Sequence, residues 1–360
     1  MQREPYFYCF RLSFGNLEPD WISLPPDTGY GVLFMELDQY IPGNVLYVEG
    51  SAIKTLNLQT NETWLIAGDI EIRGYRNGYG DSVRFNIPSS FHQRNSTEII
   101  ILDKGIGCIR TLSRLTNATA DLAGLCTVPG DVDGPFNIAR VGAPEKFVEV
   151  RPGELAFTDF MCKCIKVLDL VNERVTTLAH VGLLVFGLVK RPDSNDLFFT
   201  VNGGLGKVNS CSGEVAFLTT TVYNGYRDGP LTESNRTNAV FSIRPETLLF
   251  VNKDIMLVTG LRTHLIRVVK FASNFVTSIC DPSLKGNLTL SGNIETCHIS
   301  FPRSLLALPT LDLVLIGFHE SVGYLQVTGL PETIPNTPTN ACGIETTTPT
   351  TTPTTTPPTT

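Results

Sequence analysis

Few residues in this chain could carry chemistry, and their spacing limits what chemistry that would be. Five histidines, His92, His180, His264, His298 and His319, are scattered over 360 residues, and no two form an H-E-x-x-H pair. There is no G-x-S-x-G elbow and no Gly-rich phosphate loop ending in Lys-Ser or Lys-Thr, so the common zinc-protease, serine-hydrolase and nucleotide motifs are missing. A metal site would have to be assembled from separate elements. The donors on offer are His264 and His319, with His180 as a third if its loop folds inward, and the acids Glu49, Asp103 and Asp159. Carboxylates suit a hard cation such as calcium, and histidines suit zinc. The simpler reading is structural: an acid at a strand end accepts backbone N–H groups in the tight turn that follows. Cys162-Lys163-Cys164 has no second pair nearby, which is poor zinc spacing.

The elements that hold these residues repeat. Residues 73–91 read RGYRNGYGDSVRFNIPSSF, 130–144 read GDVDGPFNIARVGAP, and 225–245 read GYRDGPLTESNRTNAVFSIRP. Each has an Asn-Gly or Asp-Gly turn, then an apolar residue, then a proline. Asn/Asp-Gly supplies the positive φ of a tight turn, and proline suits the first residue of a strand. β-rich runs recur at NVLYVE (44–49), EIIILD (98–103), ELAFTD (154–159), DLFFTVN (196–202), DIMLVTG (254–260) and DLVLIG (312–317). Each predicts a strand, a short loop, then a strand with a basic residue near its start: Lys54, Arg110, Lys166, Lys207 and Arg267, with Gln326 in the last copy. A further strand closes several units: TWLIAG (63–68), ADLAG (120–124) and VTTLAH (175–180).

A unit near 55 residues, repeated six times, predicts an all-β chain folded as one six-bladed β-propeller of four-stranded antiparallel blades over residues 1–335. The last copy shows three strands. Residues 6–12 read as its missing fourth, so the N-terminal strand closes the ring. The ordered motif resembles the NHL-repeat family, most closely at 73–124 (DSVRFNIP, IIILD, CIRTL, DLAG) and 130–178. It departs in the fourth unit, which lacks Asp-Gly before Pro192, and in the sixth, where Gln326 replaces the basic residue. The resemblance implies either a binding scaffold or, as in the amidating lyase built on this propeller type, a metal-dependent lyase or hydrolase using His264, His319, Asp103 and Asp159 with zinc or calcium. Such a site needs a third histidine from another blade.

Nine cysteines are many for a reducing compartment. The propeller reading pairs Cys108 with Cys126, Cys280 with Cys297, and Cys9 with Cys342; Cys162, Cys164 and Cys211 stay unassigned. Five N-x-Ser/Thr sequons, at Asn61, Asn95, Asn117, Asn235 and Asn287, fall in expected turns. Residues 336–360 turn abruptly to Thr and Pro, which cannot bury a core and read as a disordered, mucin-like stalk. The first fifteen residues lack the long apolar core of a leader, so a removed leader or a fragment is expected, and no run reaches the length of a membrane span.

The chain is thus expected to be extracellular, secreted or on a cell-surface ectodomain. Its net charge of −7, without a basic cluster, disfavours nucleic acid. The expected role is non-catalytic and cofactor-free: propeller loops presented to a protein or glycan partner. Tyr75, Arg76, Tyr79, Tyr226 and Arg227 are the candidate contacts, because Tyr and Arg anchor interfaces. The competing reading packs them on a neighbouring blade to hold the turn.

Overall fold

The computed structural model describes residues 7–10, 22–23, 32–60, 62–219, 226–231, 239–241, 245–260, 263–279, 302–308, 313–317 and 321–327. They are almost wholly β. Five antiparallel blades each come from one contiguous segment. The first runs Val32–Leu37, Asn44–Glu49, Ala52–Asn57 and Thr63–Gly68. The second runs from Pro88–Gln93 to Thr119–Ala123, the third from Pro144–Arg151 to Arg174–His180, the fourth from Val185–Lys190 to Val215–Phe217, and the fifth from Pro245–Asn252 to Phe275–Ile279.

The remaining sheet is of another kind. Ser304–Leu308, Leu313–Gly317 and Ser321–Val327 are joined by the N-terminal strand Phe7–Phe10, which pairs Phe7 with Val327 and Phe10 with Tyr324. So six equal blades is not what the fold displays: five are contiguous, and one sheet is assembled from both chain ends. Nor are all blades four-stranded. Gly134–Pro135 and Gly229–Pro230 add a fifth strand to the third and fifth blades.

The first strands of neighbouring sheets touch in cyclic order around an axis, and Ser304–Leu308 contacts both the fifth and the first blade. From the second blade onward hydroxyls bind one sheet to the next: Ser89 Oγ donates to Pro144 O (2.9 Å), Thr158 Oγ1 to Phe186 O (2.9 Å), Thr200 Oγ1 to Pro245 O (2.7 Å) and Thr247 Oγ1 to Arg303 O (2.7 Å). Ser304 Oγ then reaches Val32 O (3.3 Å), back at the first blade.

The core lies between blades rather than within them. Val48, Ile53 and Ala67 of the first blade pack on Phe91, Ile99 and Ile101 of the second. Leu306, Leu308 and Leu315 pack on Val32, Met35 and Tyr47, joining the closing sheet to the first blade. The Ala-Gly strand ending has a steric cause. Gly68 has φ +99°, and a Cβ there would collide with the Ser51 carbonyl and the Phe85 ring.

The recurring Asn/Asp-Gly…Phe…Pro segments are hairpins that run along the outer edge of the blade they enter. Arg76 pairs with Arg84, and Tyr79 with Ala118 just before the second blade's outer strand. Likewise Gly134 pairs with Val175, and Gly229 with Val276. Each hairpin returns to the proline that opens the next inner strand.

Candidate functional site

Loops between second and third strands, together with the connections between blades, lie on one face of the ring. There the axis opens into a cavity of about 260 Å³, lined by Leu33, Gly50, Arg73, Ile87, Ser89, Lys104, Glu145, Lys146, Glu246 and Arg303. The wall is charged and is drawn from four blades and the closing sheet. Lys104 Nζ pairs with Glu145 Oε1 (2.9 Å) and sits 5.2 Å over the Phe160 ring. Lys146 Nζ donates to Leu33 O (3.3 Å) and sits 5.0 Å over Phe34. Four cations against two carboxylates leave the wall positive, in a chain of net charge −7. Ile72, next to Arg73, and Met161, next to Phe160, are exposed.

Sequence reasoning missed this cavity, although a signal existed. Ser89, Glu145 and Glu246 each directly follow the strand-opening proline, and the register makes those prolines equivalent: Pro88, Pro144 and Pro245 face Asp103, Asp159 and Gly260.

The expected contact residues lie elsewhere. Tyr75, Arg76, Tyr79 and Arg227 sit on the outer-edge hairpins, with Tyr226 just before the Arg227–Val240 pair. The reason is the basic residue of each third strand. The Arg110 side chain is fully buried and bonds Asp103 Oδ2 (3.0 Å), Asn77 Oδ1 (2.7 Å) and the Arg76 and Arg84 carbonyls (3.0 and 2.8 Å). It lies under the Phe85 and Tyr75 rings at 4.7 and 5.5 Å, and the Tyr75 hydroxyl donates to Asp121.

Arg267 repeats the scheme with Asp228 (3.0 Å), the Arg227 and Val240 carbonyls, and the rings of Phe241 and Tyr226. Burial pushes the Arg267 guanidinium down to about 10, with Asp228 and Tyr226 pulling the other way. Lys166 repeats it with Asp131 (2.6 Å) and Asp133 (2.8 Å). Burial by itself would raise Asp133, but its bonds to Lys166 and Thr177 together hold it below its usual range. In the fourth blade, where the Asp-Gly hairpin is missing, Lys207 is partly exposed and turns to Asp196 of its own sheet (3.0 Å). Tyr79, two-thirds exposed (67 %), is the most exposed of the three candidate tyrosines.

Asp103 and Asp159 close second strands and bind backbone. Asn86 N–H donates to Asp103 (2.8 Å); Gly142, Ala143 and Met161 N–H donate to Asp159 (2.7, 2.9 and 3.0 Å). Burial raises Asp103 to about 6 even though Arg110 opposes it. Glu49 pairs with Lys54 (2.8 Å). His264, in a turn on the cavity face with φ +56°, is not among the cavity's lining residues, and His319 lies outside the described residues. His180 is exposed, opposite Cys164. His92 is held neutral down to about pH 4 by burial. Among the described residues two trios of potential ligands have donor atoms within 4.8 Å, Cys108–Asp121–Cys126 and Asp131–Cys162–Cys164. In each trio a disulfide occupies both sulfurs.

The Cys108–Cys126 bond is present as expected. Cys162 and Cys164 bond to each other, and Cys211 is also disulfide-bonded. Cys280, Cys297 and Cys342 lie outside the described residues, so their expected pairings do too, as do Asn61, Asn235, Asn287 and residues 336–360. Asn95 and Asn117 lie in turns on the face opposite the cavity.

This geometry matches solved structures. The chain superposes on an auxiliary nutrient binding protein from Bacteroides ovatus with a TM-score of 0.60 at 14% identity, covering 91% of this chain and 77% of that one. A second, from Bacteroides thetaiotaomicron, gives 0.61 at 11% identity with the same coverage. A streptogramin B lyase gives 0.53 at 12% identity, covering 89% and 98%. The fold is a β-propeller. At these identities the likeness concerns the fold alone, and propellers host both binding and catalysis. No protein-family model and no curated protein matches the chain.

Proposed function

We propose that this chain is an extracellular binding propeller of NHL type whose cavity face takes a protein or glycan partner through an acidic group. The observation that carries the reading is the axial cavity, where Arg73, Lys104, Lys146 and Arg303 converge from separate elements around two carboxylates. Loops set on a rigid scaffold are where binding residues gather, and a positive wall favours an anionic group. Disulfides support an oxidising compartment. The sequons at Asn95 and Asn117, read as glycosylated, would put sugar on the other face and leave the cavity open. In this reading the sheet that joins the chain ends serves as a sixth blade, consistent with the cyclic contact of the inner strands.

The test is a binding array of neutral and acidic glycans and acidic peptides. We expect acidic probes to bind and the Lys104→Glu/Arg303→Glu variant to lose at least ~10-fold in affinity, about 1.4 kcal/mol. Binding that survives the double variant would move the site away from the cavity. Stoichiometric zinc or calcium in the purified protein, lost on His264→Ala, would favour a metal-dependent lyase or hydrolase instead.

A further inference from the structure

Two disulfides of very different kind lie on the cavity face. Cys108–Cys126 closes a loop with a sequence separation of 18 and ties the connection after the second blade to that blade's third strand. Cys162–Cys164, with a separation of 2, encloses only Lys163. A bond that short removes little freedom from the unfolded chain, and its entropic contribution to stability is correspondingly small. It also sits at a turn that is already secured. Asp159 Oδ1 accepts the Met161 and Cys162 N–H groups, and Lys163 O accepts Val181 N–H (2.9 Å) and Gly182 N–H (3.1 Å). Lys163 has φ +56°, a left-handed conformation uncommon for a side-chain-bearing residue. The two residues differ in exposure: Cys162 is partly exposed, Cys164 fully buried. Polar side chains lie near the pair: exposed Lys163, Asp131 within 4.8 Å of both sulfurs, and His180 opposite Cys164 in the strand register.

We propose that Cys162–Cys164 is a thiol–disulfide exchange site for an extracellular thiol, either a small molecule or a protein cysteine. The incoming thiolate forms a bond to the accessible Cys162 Sγ. The Cys162–Cys164 bond breaks, and its electron pair leaves on Cys164 Sγ, which takes a proton from solvent. The product is a mixed disulfide at Cys162 and a free thiol at Cys164. A second thiolate, or returning Cys164, resolves it. Exchange of this kind is governed by access to the attacked sulfur, and exposed disulfides are the labile ones. Cys108–Cys126 likewise joins a buried sulfur-bearing residue to a partly exposed one, but closes the longer loop, and is the internal comparison.

The experiment is differential alkylation of the intact full-length protein under native conditions. Graded reduced glutathione or dithiothreitol is applied, free thiols are blocked, and peptides are mapped by mass spectrometry while near-ultraviolet dichroism reports folding. We expect Cys162 and Cys164 to be labelled at about tenfold lower thiol concentration than Cys108 and Cys126, with the folded spectrum intact. Incubated with oxidised glutathione, Cys164→Ser should acquire glutathione at Cys162, while Cys162→Ser, leaving only the buried sulfur, should acquire it at least tenfold more slowly. Labelling of Cys162 and Cys164 only together with Cys108 and Cys126, or only on unfolding, would overturn the proposal. A peptide map that joins either residue to Cys211 would do the same.

Discussion

Glu36 stands on the first blade's inner strand, near the axis end opposite the cavity. Its side chain is only partly buried overall, yet Oε2 is sealed from solvent without a hydrogen-bond partner. Burial raises its pKa to about 7, with Gln93 and Gln39 opposing and Asp38 and Glu149 adding to the rise. The folded chain therefore keeps the proton up to about pH 7, while the unfolded chain releases it near 4.5. More protons on the folded state mean that stability falls as pH rises between those values and stays lowered above them. Glu36→Gln should raise stability above pH 7 by roughly 1–3 kcal/mol and change little below pH 4.5. Denaturant melts across that range would check this, and a pH-independent difference would count against it. His92 acts in the opposite sense: with its pKa lowered to about 4 by burial, acidification from about 6.5 downward favours the unfolded chain. The Glu36 variant isolates one slope from the other.

At the scale of the element, the outer-edge hairpin and the third-strand cation form one unit. Arg110 pairs with Asp103 and adds a second hydrogen bond to the Arg76 and Arg84 carbonyls, which also accept each other's backbone N–H across the hairpin. Arg110→Met keeps much of the side-chain volume but leaves Asp103 buried without its cation, its pKa pushed further up by burial. We expect a loss of about 3–5 kcal/mol and new protease cuts within 73–87, measured by melting and limited proteolysis. An unchanged digest would show that the hairpin holds without the cation. Much of this unit was legible beforehand. Asn77-Gly78, Phe85, Pro88 and Arg110 were visible as a recurring pattern, because turn φ, ring volume and the missing proline N–H are local requirements. That the Arg of one strand serves the Asn-Gly of a preceding hairpin was not legible. The contact spans 33 residues and exists only once the strands are stacked. Nor was it legible that the rings of Tyr75 and Tyr226, expected as contacts, cover buried guanidinium groups while staying exposed to solvent.

At the scale of the whole molecule, closure depends on two chain ends meeting. Phe7–Phe10 is the outermost strand of the closing sheet, whose inner strand touches the first and fifth blades. Removing residues 1–12 should lower the melting midpoint by at least ~5 °C and broaden the transition; an unaltered midpoint would make that strand dispensable.

What the amino-acid order determined by itself was the strand inventory, the all-β class, the repeat and the Cys108–Cys126 pair, since alternation, turn residues and spacing act over a few positions. Only the tertiary structure decided that three repeats send hairpins down blade edges, that Cys162 bonds Cys164, and that Lys104, Glu145, Glu246 and Arg303 share one cavity. Those residues are far apart in the chain, and their meeting is set by how the sheets are arranged around the axis, a geometry that no local pattern encodes.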